Sequence, residues 1–160
     1  MKATEEIPVN YAGAVYGTIL SMAVIAASSK DPELGPVAIA GWAVATAFVF
    51  FLAHVYSAIV AVGIARPMKA LGLLRKEARS EWPMVQGAVV PAAVMLLAPI
   101  GLLPEDDASF YAIWTGVAVL FAAGLVIGHK EKLGWGRSII IASINAAIGL
   151  LIVALKVLVH

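Results

Sequence analysis

One histidine, His54, lies in the run from Pro36 to Ala65, where Tyr56 is the only other ionisable residue. An imidazole at membrane depth is costly and is kept where it meets a polar partner or water. Histidine as a class changes charge near neutral pH, so such a group can gate a proton, a cation or a small polar solute. The neutral dipoles available to work with it are Ser21, Thr18, Tyr16 and Asn145. Hydrolytic chemistry lacks its parts: no Asp or Glu falls inside any apolar run, and Ser21 with His54 is the sole nucleophile and base pair. His129 and His160 stand at opposite ends of their segments, and the chain has no cysteine, which excludes thiolate sites, iron–sulfur ligation and disulfides. The residues imply no cofactor, no metal site and no enzymatic activity.

The elements that would carry these side chains are membrane helices. Of 160 residues, 62% are hydrophobic and 13% charged, more apolar than a soluble core of this size requires. Matching a bilayer core of about 30 Å to a rise of about 1.5 Å per residue predicts five spans. They are Tyr11 to Ser28, Pro36 to Ala65, Pro83 to Leu103, Ser109 to Gly128 and Ser138 to Val159. The runs are continuously apolar rather than alternating, so the fold class is all-α and polytopic, with 1–160 a single transmembrane domain. A four-span arrangement, in which the third segment stops short of a full crossing, is the alternative. The first segment reads as a true membrane helix rather than a signal peptide, because Glu5 and Glu6 outweigh Lys2 on its flank.

Charge placement sets the orientation. With the amino terminus inside, nine of the eleven basic residues are cytoplasmic: Lys2, Arg66, Lys69, Arg75, Lys76, Arg79, Lys130, Lys132 and Arg137. The carboxyl terminus is then outside, and the location is an inner or plasma membrane. Trp82 and Trp135 fall at the inner interface, while Asp31, Glu33, Glu105, Asp106 and Asp107 crowd the outer loops. Glu105 to Ser109 is expected to cap the fourth helix, whose amino-terminal dipole favours negative charge.

Between the second and third spans, Met68, Leu71, Leu74 and Ala78 recur at helical spacing opposite Lys69, Lys76 and Arg79. This pattern predicts a short basic amphipathic helix on the inner membrane face, with anionic lipid as its partner. A net charge of +1 and the lack of any nucleic-acid motif argue against DNA or RNA. Pro91 and Pro99 both fall in the third predicted span and should kink it, and a broken helix can line a solute site.

Depth brings the polar residues to one layer. From the inner boundary the helical rise puts Thr18 and Asn145 at about 12 Å, and Ser21 and His54 at about 16 Å. The small-residue stripes Gly13, Gly17, Ser21 and Ala142, Ala146, Gly149 predict that the first and fifth helices pack against the second, turning Ser21 and Asn145 toward His54. The function expected is an oligomeric channel or transporter for a cation, proton or small polar solute, since one copy has too few spans for two rocking halves. The competing expectation is a non-catalytic scaffold or accessory subunit for another membrane protein. In that case His54 is a satisfied structural histidine.

Overall fold

The computed structural model describes residues 10–62 and 67–158, with the side chains of 62 and 67–71 excepted. These residues form five helices: α1 (Tyr11–Ser28), α2 (Pro36–Val62), α3 (Pro67–Met95), α4 (Glu105–Lys130) and α5 (Trp135–Leu158). All but α3 are long and apolar enough to cross a membrane. Lys2, Arg66 and the Lys69 side chain lie outside the described residues.

Four of the five helix starts are legible in their local chemistry. The Asn10 side chain accepts a hydrogen bond from the Gly13 N–H at 3.0 Å, the N-cap that opens α1. Pro36 and Pro67 occupy first helical positions, where a missing N–H costs nothing. Glu105, Asp106 and Asp107 fill the first turn of α4 and complement its dipole. The N-cap position itself is Pro104, with no side-chain cap bond, so the capping at this end is electrostatic. Ser109 takes no part in it: its hydroxyl oxygen accepts from the Lys156 ammonium at 2.9 Å.

The third segment departs from the sequence pattern. Residues 67–82 and 83–95 form one continuous helix, so the basic amphipathic stretch is the first half of α3 itself and not a separate surface helix. Pro83 removes one hydrogen-bond donor, and the turns on either side carry the helix through it. Pro99 lies beyond the helix, not inside it. The chain ahead of it tightens into i→i+3 bonds, Leu96 to Ala93 and Leu97 to Val94, each 3.1 Å. A proline disfavours helical backbone in the residue before it, so Pro99 acts as a stop and not as a kink.

α1 is the hub and touches every other helix. It runs parallel to α3: Asn10 Nδ2 donates to Glu81 Oε1 at 3.2 Å, and two turns on, Thr18 reaches Gly87. The basic part of α3 before Glu81 therefore projects past the start of α1. α4 and α5 form the most extensive pairing, an antiparallel hairpin closed by Glu131–Gly134. Its glycines meet small partners: Gly124 faces Ala142, and Gly128 faces Ser138. The core between α1, α2, α3 and α4 is made of Met22, Ile25, Ala43, Met95, Ala108, Ala112 and Leu120. Trp42, Phe48, Ile140, Leu151 and Leu155 point outward, a distribution compatible with lipid around the bundle.

Candidate functional site

The predicted cluster around His54 does not assemble. His54 is exposed on the outside of α2, where Nδ1 lies 2.9 Å from the Phe50 carbonyl oxygen of the preceding turn. A carbonyl only accepts, so Nδ1 carries the hydrogen. In the neutral ring Nε2 is then a free acceptor, and protonation would make it a second donor. Among the described residues the ring's aromatic neighbour is Tyr16, with centroids 5.8 Å apart and Phe50 completing the group at 6.1 Å from Tyr16. Tyr16 also borders a groove of about 610 Å³ that includes Tyr11, Ile19, Ile127 and Asn145. Tyr16 thus stands between the two polar side chains, His54 on one side and Asn145 on the other, all on the outer surface of the bundle.

Thr18 and Ser21 face the other way. Both are fully buried, because the glycine stripe of α1 packs on α3 and not on α2 as its spacing had suggested. A Cβ at Gly17 would overlap the Met84 carbonyl, and a Cβ at Gly87 would overlap the Ala14 carbonyl. The two backbones approach as closely as paired glycines permit. Asn145 is separated from His54 for a related reason: its stripe is spent on α4, and α5 makes no contact with α2. Ser21 and His54 accordingly do not form a nucleophile and base pair.

The close α1–α3 crossing gives Thr18 a definite task. Pro91 has no N–H, so the carbonyl of Gly87, four residues earlier, loses its normal helical donor. Thr18 Oγ1 lies 3.1 Å from that carbonyl oxygen and 2.9 Å from the carbonyl of Ala14 in its own helix, sharing its one hydrogen between them. The hydroxyl from α1 repairs the gap in α3. Ser21, one turn further along, has a buried Oγ with no hydrogen-bond partner. Among the described residues no three His, Cys, Asp or Glu side chains converge on a point where a metal ion could sit.

Lys76 and Arg79 are exposed on the projecting half of α3, as a lipid-facing role would need. A second basic region was not singled out by sequence reasoning. Where α4 turns into α5, Leu125, Val126, His129, Lys130, Lys132, Gly134, Trp135 and Ser138 line an open cavity of about 900 Å³. The available signal was the spacing His129, Lys130, Lys132, Trp135 across a four-residue turn.

Comparison of the chain with protein-family models, with curated proteins and with solved structures finds no match.

Proposed function

We propose that this chain is an integral protein of a plasma or inner membrane that works as a homo-oligomer, with a proton, cation or small polar solute passing along the surface marked by His54, Tyr16 and Asn145. The observation that carries this reading is the outward position of His54, with Nδ1 engaged by Phe50 and no hydrogen bond made by Nε2 among the described residues. Lipid is a poor neighbour for a free imidazole nitrogen, and a second copy is a good one. Among the described residues the interior of one copy offers no competing route, since the core is apolar and the buried hydroxyls are Thr18, Ser21 and Ser138. In this reading all five helices cross. α3 runs beside α1 and brings the chain from the end where α2 finishes to the end where α4 begins, and the distribution of basic residues supports an amino terminus inside.

The apolar interior also favours a second reading, a scaffold or accessory subunit whose His54 surface meets a different membrane protein. Flux separates the two. In reconstituted vesicles the parent chain should carry protons or cations. His54→Gln retains a hydrogen-bonding side chain but cannot carry a proton, and should reduce that flux without unfolding the bundle. A parent chain that leaves vesicles as tight as empty ones would eliminate transport and leave the accessory role.

A further inference from the structure

We infer that the cavity at the α4–α5 turn is a binding site for an anionic phospholipid, held by its headgroup phosphate. This does not depend on the transport reading. The cavity has two chemically different walls. Leu125 and Val126 belong to the apolar body of α4, and the Trp135 ring opens α5 with 79% of its surface exposed. One turn further toward the helix end, Lys130 and Lys132 supply two cationic groups and His129 an imidazole on the same cavity. A free phosphate would use only the second wall; a lipid uses both, an acyl chain against Leu125 and Val126 and a phosphate against the lysines.

Lys132 adds an independent observation. Its φ is +54°, a left-handed conformation that is strained for a non-glycine residue and that glycine adopts freely, as Gly134 does two residues on with φ +78°. A glycine at 132 would make the easier turn. A lysine held there despite the strain points to a use for its ammonium group. Lys130 is steadied from the other side by Tyr11, whose ring centroid lies 4.9 Å from Nζ, a cation–π contact that leaves the ammonium donors available. Glu131 and Arg137 are the other charged residues of this turn, both exposed and neither lining the cavity.

The test uses Trp135 as the reporter. In a chain whose Trp42, Trp82 and Trp114 are changed to phenylalanine, brominated phosphatidylglycerol and brominated phosphatidylcholine are titrated separately into phosphatidylcholine vesicles. Trp135 should be quenched at a lower mole fraction of the anionic lipid. Lys130→Gln and Lys132→Gly should each reduce that preference roughly fivefold, the factor expected for one lysine at an anionic surface. Lys132→Gly relieves backbone strain, so it should lose lipid preference while melting no earlier than its parent, a split that a purely structural lysine would not give. Lys76→Gln with Arg79→Gln, on α3, should leave Trp135 quenching unchanged. Equal quenching by the two lipids would overturn the inference, as would loss of the preference in excess inorganic phosphate, which would mark a soluble-anion site. If the three-phenylalanine chain does not fold, native mass spectrometry of the unaltered protein provides the same comparison: phosphatidylglycerol should be retained over phosphatidylcholine, and Lys132→Gly should narrow the difference by the same factor.

Discussion

Gly87→Ala should be among the most damaging single-methyl substitutions in the bundle. A Cβ at this position would occupy the space of the Ala14 carbonyl oxygen, and the opposing atom is backbone, so no side-chain rotation relieves the overlap. α1 must move away from α3, and α1 contacts every other helix. Overpacking of this kind costs about 1–3 kcal/mol and more where the neighbour cannot yield, which places Gly87→Ala at or above the upper figure. Gly17→Ala should behave alike, since its Cβ would meet the Met84 carbonyl. Gly41 is the matched control: it is helical, with nothing within 4 Å of an added Cβ. There alanine should be neutral or stabilising by up to about 1 kcal/mol through helix propensity. Reversible unfolding in mixed micelles measures all three. A Gly87→Ala protein as stable as Gly41→Ala would show that the α1–α3 crossing is looser than the structure has it.

Thr18→Val should cost about 1 to 2 kcal/mol, the loss expected when a buried carbonyl is left without a donor. Valine keeps the shape of threonine and removes only the hydroxyl that serves Gly87. The diagnostic feature is a coupling. In a Pro91→Ala background residue 91 regains its N–H, the Gly87 carbonyl regains a helical partner, and Thr18→Val should then cost measurably less than in the parent. A double-mutant cycle reads this as a coupling energy on the order of 1 kcal/mol. Strict additivity would mean that Thr18 and Pro91 do not share the Gly87 carbonyl.

The helical elements were legible in the sequence because long apolar runs leave backbone only one self-sufficient conformation. The first span matches α1 at both ends, and the fourth and fifth predicted spans lie within α4 and overlap α5 almost completely. The basic stretch before Pro83 was read as separate because its polarity changes abruptly there, yet polarity says where a helix meets water, not where its hydrogen bonds stop. Depth placed Thr18, Ser21, His54 and Asn145 in one layer, but a layer does not fix rotation about each helix axis. Rotation is decided by which small faces meet, and glycine stripes do not name their partners. Gly17 chose Met84 and Gly87 chose Ala14, which turned Thr18 and Ser21 inward to α3 and left His54 outside. The link between Thr18 and Pro91 was open to inference from Gly87 alone, four residues before a proline in a predicted helix.

Cross-linking between copies tests the His54 surface most directly. The chain has no cysteine, so Ser57→Cys, one turn from His54 on the exposed face of α2, provides a single reactive site and leaves the imidazole in place. Oxidation or a short bis-maleimide applied in the bilayer should join Ser57→Cys chains into dimers, because residues near a symmetric contact meet their own counterparts. Leu151→Cys, equally exposed on α5, should remain monomeric under the same conditions. Monomeric Ser57→Cys protein that a lipid-soluble maleimide labels as readily as Leu151→Cys would contradict a homo-oligomer formed on this surface.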